Sequence, residues 1–349
     1  MANLPSISGA VTLLDIIKAT DPNGNVAELG ELLSQSNEIL DDLAWVEGNL
    51  PTGHQASIRT GLPMPVWRKL YQGVPPAKSL RATVTDALGI LENRSEIDKD
   101  VVTLNGNSQS FRLSESIAFI EGMNQGFADA LIYGDATSNP EQFNGLAVRY
   151  NTINPANAEI AKNVISAGGT GNCTSVWLVV SGPNTVHGIY PKGSQAGLQT
   201  QDLGEFDAFD AAGARYRAVG DLYKWKCGIH VKDWRYVVRI ANVSIVDLLA
   251  GTGTQAPTAA TYLPKLMVKA MARIPQIGMG KPAFYASRTV KEMLAVNALD
   301  KSQNALSITD ALSQFGKPEP GFVRAGGVNV LGIPVRTVDR ILETESPLT

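Results

Sequence analysis

Apolar positions predict the elements of this chain in three different rhythms. Leu29, Leu32, Leu33, Ile39, Leu40 and Leu43 recur at helical spacing, with a slip at Ser36 and Asn37. Ile120, Met123, Phe127 and Leu131, widened by Ile117 and Ala128, form one stripe that predicts a helix over 114–135. Ser114 fits its N-cap, Leu113 a staple before it, and Gly134-Asp135 its end. Gly122 and Gly126 each lower helix propensity by about 1 kcal/mol, so close backbone packing is the expected compensation. Between them, residues 51–90 read as an extended hairpin. Pro51-Thr52-Gly53 opens it, Leu80 to Thr85 alternates, and Gly61, Pro63, Pro65, Gly73, Pro75 and Pro76 punctuate its tip.

Further on, short β-branched runs dominate 175–250. Strands are expected at Ser175–Ser181, Thr185–Tyr190, Arg215–Ala218, Ile229–Lys232 and Tyr236–Val243. Phe143 reads as a buried anchor in the loop 139–151, and Gly251–Ala260 as a linker. Beyond it, helices around Leu266–Ile274 and Val290–Ala298, a strand at Pro282–Ala286 and a hairpin over Phe322–Thr337 suggest a compact α+β unit.

Charge changes the picture at the start of the chain. Residues 1–50 hold eight acids against Lys18, net -7, whereas 51–90 hold five bases against Asp86, net +4. The whole chain of 349 residues is close to neutral, at -3, which argues against a dedicated nucleic-acid reader. The two cysteines, Cys173 and Cys227, are too few for a disulfide framework and read as packed small residues. No stretch has the ~18 apolar residues of a membrane span, and the start shows no basic-then-apolar leader.

Templates for catalysis fail one by one. Gly280-Lys281 lacks the P-loop glycine and hydroxyl, Gly251-Thr252-Gly253 lies in a Thr-rich loop, and Gly193–Gly197 is off register for a nucleophile elbow. His54, His187 and His230 are far apart, so a zinc site would need ligands from scattered strands. His187 and His230 read as packed strand histidines and His54 as a surface residue. Glu96–Asp100 reads as a solvated face. No catalytic residue, cofactor or metal is assigned.

The order of elements is similar to the Hong Kong 97-type fold of tailed-bacteriophage major capsid proteins. The wording resembles a podovirus-like subfamily of them. It does so in WVEGNLPTGHQASIRTGLPMPVWRKL (45–70), LNGNSQSFRLSE (104–115), FIEGMNQGFADALIYGD (119–135), FNGLAVRYN (143–151), SVWLVVSGPNTVHGIYPKGSQAGL (175–198), KDWRYVVRIANV (232–243) and GIPVRTVDRIL (332–342). The resemblance implies an α+β chain with an N-arm (1–50), an E-loop (51–100), a peripheral domain (101–254) with its spine helix, and an axial domain (255–349). Because KDWRYVVRIANV precedes the axial-like unit, a permuted connectivity is expected.

The same resemblance implies a shell subunit forming hexamers and pentamers around double-stranded DNA, in a virion capsid assembled in the bacterial host cytoplasm. Scaffolding, portal and cementing proteins would be its partners, with no membrane. The E-loop residues Arg59, Trp67, Arg68, Lys69 and Arg81 are expected between subunits, opposite Glu28, Glu31, Glu38, Asp41 and Asp42 of an arm. The alternatives are an encapsulin-like compartment shell and a cytosolic α+β hydrolase with dispersed catalytic residues.

Overall fold

A computed structural model describes residues 34–103, 108–209, 213–250, 263–299, 306–309 and 327–349. In chain order its strands are β1 (Trp45–Glu47), β2 (Gly53–Gly61), β3 (Leu80–Ala87), β4 (Gly89–Asp98), β5 (Val164–Ser166), β6 (Cys173–Ser181), β7 (Val186–Tyr190), β8 (Gln199–Phe209), β9 (Arg215–Val231), β10 (Val237–Ser244), β11 (Lys281–Ala286), β12 (Leu306–Thr309), β13 (Gly327–Val330) and β14 (Ile333–Thr337). The main helices are α1 (Ser108–Tyr133), α2 (Leu263–Arg273) and α3 (Arg288–Leu299). Glu28, Glu31 and the linker at 251–260 lie outside the described residues. The chain divides into two compact units, neither a continuous segment.

Among the described residues the larger unit holds 36–89, 128–196, 227–250, 263–299, 306–309 and 327–349. Its central sheet runs β5-β10-β6-β11-β14-β13-β12. Strand β6 pairs antiparallel with β10 on one side and β11 on the other, and β11 pairs parallel with β14. All nine residues of β6 are buried. Both faces are therefore covered, which is why Val176 to Val180 is an unbroken apolar run rather than an alternating one. Val176, Leu178 and Val180 pack with Leu266, Met267 and Ala270 of α2 and Val290 and Leu294 of α3. Strand β13 turns into β14 through Leu331 and Gly332, both at positive φ, as a tight hairpin demands.

Strand β10, from KDWRYVVRIANV, shares its sheet and its core with α2, α3, β11 and β14. On the other side of β6 the sheet continues into β11. On the opposite face of β6, Trp177 packs edge-on to Tyr150 and under the Arg239 guanidinium. Arg239 binds Glu345 at 2.9 Å, and Glu345 also accepts from Ser175 and Tyr133 at 2.5 Å each. Burial and the Glu345 charge push the Tyr133 hydroxyl well above its ordinary pKa, so it stays a neutral donor.

The smaller unit holds residues 90–127 and 197–226 among those described. Strand β9 lies between β4 and β8. Its sheet is polar and held by side-chain pairs. Lys99 meets Glu205 at 2.8 Å, Lys224 meets Glu92, and Tyr216 donates to Glu96 at 3.0 Å. Helix α1 joins the sheet through Arg112, which bonds Asp221 at 2.7 Å and Asp202 at 3.1 Å, and through Phe119 stacked on Tyr223.

The helix differs from its expected start. It has 26 residues, roughly 39 Å, and already runs at Ser108, so Ser114 is an interior residue and not a cap. Its buried stripe is Met123, Phe127, Ala128, Leu131 and Ile132, while Ile117 and Ile120 stay exposed. Gly122 faces open space, and Gly126 has only ordinary room beside Leu91, so close packing does not account for the pair. The helix does end where expected. A Cβ at Gly134 would meet the Ala130 and Phe143 carbonyls at 2.4 and 2.5 Å. Gly134→Ala is expected to destabilise by about 1–3 kcal/mol, read as a lowered Tm in thermal unfolding.

Candidate assembly surface and histidine cluster

The hairpin of β2 and β3 pairs from Gly53↔Ala87 at its root to Gly61↔Leu80, with a register shift between Arg59 and Gly61. Alternation of exposed and half-buried residues along β2 gives it one inward face. Beyond Gly61 the chain runs without regular structure until Leu80. Prolines remove donors and fix backbone angles there, which keeps the tip extended. The tip exposes Leu62, Met64, Val66, Trp67, Leu70, Tyr71 and Val74, with the Trp67 side chain 100% exposed. So many large apolar groups on one short segment mark an interaction surface.

Arg59, Arg68, Lys69 and Arg81 are all exposed beside them. Arg59 and Arg81 are direct cross-strand partners. Like charges in that register repel, and none of these four side chains has an ion pair among the described residues. Among the described residues the hairpin thus carries positive charge without ion pairs next to exposed apolar surface.

The described end of the acidic arm lies elsewhere. Ile39 and Leu43 are buried and β1 pairs parallel with β7, so residues 36–47 are part of the body. Glu38 pairs with Arg336 at 3.3 Å. Asp42 pairs with Arg336 at 3.1 Å and accepts from Tyr285 at 3.1 Å. Burial nevertheless raises the Asp42 pKa, with the Arg336 charge acting against it. Their partners are internal because Arg336, on β14, faces this segment, whereas Asp41 is exposed. Residues 36–47 thus find burial within their own unit.

At the root of the hairpin three histidines converge. His54 on β2, His187 on β7 and His230 on β9 bring ligand atoms within 4.8 Å of one another. His187 and His230 are direct partners across β7 and β9, while His54 is opposite Asp86 across the hairpin. His54 is half-buried, not a surface residue as the sequence suggested. His230 Nδ1 and Asp86 Oδ2 are 2.7 Å apart, and Arg149 holds the other Asp86 oxygen at 2.8 Å. Burial alone would raise the Asp86 pKa, but the His230 hydrogen bond and the Arg149 charge outweigh it and the net shift is downward. Burial first, and then the two neighbouring histidines, push the His187 imidazole down to about 4. Sequence spacing gives no sign of this convergence, because each histidine arrives on a different strand.

Among the described residues no helix is long and apolar enough to cross a membrane. A family model described as major capsid protein GP7 matches residues 21–349. The capsid structure of bacteriophage Epsilon15 is 30% identical over the whole of both chains, with a TM-score of 0.74. The capsid of bacteriophage JBD30 is 9% identical over 89% of this chain and 92% of its own, at 0.48. An encapsulin from Synechococcus elongatus PCC 7942 is 12% identical over 71% of this chain and 99% of its own, at 0.42. No curated protein matches the sequence.

Proposed function

This chain belongs to the family of major capsid protein GP7, and we propose that its basic, apolar-tipped hairpin is the strap that joins neighbouring subunits of the shell. The protein has the Hong Kong 97-type α+β capsid fold and is a structural component of a phage head, assembling into multimeric shells. Membership implies a structural role rather than catalysis. The finer reading is that hexamers and pentamers close around double-stranded DNA in the host cytoplasm. Scaffolding and portal proteins attend assembly, a cementing protein completes the surface, and the chain carries no enzymatic activity.

One observation carries the strap reading. Among the described residues, the tip's apolar side chains stay exposed and the charges of Arg59, Arg68, Lys69 and Arg81 have no ion pair. Desolvated aromatic and arginine anchors supply most of the energy of protein interfaces, and opposite charge sets their register. The acidic partner is proposed on the neighbour's arm at Glu28, Glu31 and Asp41. Glu38 and Asp42, already paired with Arg336, contribute less.

Charge reversal tests this. Arg68→Glu with Lys69→Glu is expected to leave a soluble, folded subunit that yields few or no shells in negative-stain microscopy. The wild type's shell yield should also fall with added salt, as screening shortens the reach of exposed charges. Normal shells from the reversed pair would overturn the assignment of these two residues.

A further inference from the structure

We propose that His54, His187 and His230 form a binding site for one divalent transition-metal ion of the zinc type, which clamps the root of the hairpin to the body of its own subunit. The three residues lie in one compact unit, on three strands that the fold brings together. Their ring centroids are 4.6, 5.1 and 5.7 Å apart, edge to face rather than stacked. Three imidazoles with a fourth position left to water is a common zinc ligand set. The chemistry of the donors selects the ion. All-nitrogen ligation suits zinc, cobalt or nickel, whereas calcium and magnesium take oxygen.

The polar atoms at the site are otherwise unexplained. Among the described residues, His230 Nε2 and His54 Nδ1 are buried without a hydrogen-bond partner, and neither His187 nitrogen makes a well-formed one, with only a loose approach to the Gly182 backbone. Buried, unsatisfied polar atoms are costly, and several in one place point to something that satisfies them together.

The surroundings supply what a metal-bound histidine needs. Asp86 accepting from Nδ1–H would leave the Nε2 lone pair of His230, buried and unpartnered among the described residues, to be offered to an ion. Arg149 keeps that carboxylate charged and oriented. Nitrogens about 2 Å from one tetrahedral ion are about 3.3 Å apart, so the set must draw together slightly on binding. His54, half-buried at the rim, is the ligand with room to turn.

The consequence is mechanical. Gly53 sits so close to the facing strand that a Cβ would meet the Asp86 carbonyl at 2.3 Å, which shows how tightly the root is drawn in. A metal ion would tie β2 to β7 and β9 at that point, while the tip stays open for a neighbour.

The test uses assembled full-length protein stripped with a chelator and titrated with Co²⁺ alone, then with Zn²⁺. The expected result is one Co²⁺ per subunit with the intense visible absorption of tetrahedral cobalt, which Zn²⁺ abolishes. His54→Ala should lose that spectrum, and Asp86→Asn should weaken binding about 10-fold or more. His54→Cys should keep the ion and add a thiolate-to-cobalt band, and it carries the test if the alanine variant fails to fold. The proposal is overturned if wild-type shells take up no stoichiometric cobalt, or if the cysteine variant binds it without a sulfur band.

Discussion

Trp67→Ser with Leu70→Ser is expected to abolish shell formation while leaving the subunit as stable as the wild type. Both side chains are exposed on the isolated chain, at 100% and 84%, so their removal takes no buried contact from it. Substitutions of that kind stay within about 0.5 kcal/mol of the parent stability. Between subunits the same side chains would be central anchors, each costing about 2–4 kcal/mol per contact when truncated. Every 1.4 kcal/mol is about tenfold in an equilibrium constant, and a shell repeats the loss at every contact. Thermal unfolding should therefore match the parent, while sedimentation velocity shows only small species. A variant that assembles at the parent's protein concentration would remove the tip from the interface.

The opposite behaviour is expected of Glu345→Ala, which attacks the subunit itself. Glu345 is the shared acceptor of Arg239, Ser175 and Tyr133, and all lie among buried groups against the sheet. Removing it leaves the guanidinium of Arg239, 4% exposed, without its counter-charge. Breaking a buried pair in this way costs about 3–5 kcal/mol. For a chain of this size that is a fall in Tm of roughly 5 °C. Replacing both partners, as in Arg239→Met with Glu345→Leu, should cost less, because no lone charge stays behind. Calorimetry on the three variants checks the ranking. An alanine variant that melts with the parent would mean that the charge is reached by water.

Much of the body was legible in the sequence because its elements are decided by burial. Residues 175–181 spell an apolar run with no charge, and only a strand covered on both faces has that composition in so short a length. The helix over 114–135 was visible from its stripe. Its true start was hidden because Arg112 is held by Asp202 and Asp221, a contact across the chain that no local cap signal reports. Strands β4 and β8 escaped notice for a related reason. ENRSEID and QTQDLGEFDAF are polar, and cross-strand pairs such as Lys224 with Glu92 and Arg217 with Asp207 hold them rather than an apolar face. The basic hairpin was legible from its poverty of core residues and its prolines. The histidine cluster was not, since its members meet only once β2, β7 and β9 have been placed.

The hairpin stem has one further consequence. Strands β2 and β3 form a two-stranded ribbon, and beyond Gln55, which Asn49 holds, no further strand pairs with its outer edges among the described residues. Such edges invite head-to-tail strand addition, which grows fibres instead of closed bodies. The facing guanidinium groups of Arg59 and Arg81 make a second ribbon an unwelcome neighbour along that edge. Charge at that position is therefore expected to disfavour backbone pairing between free chains.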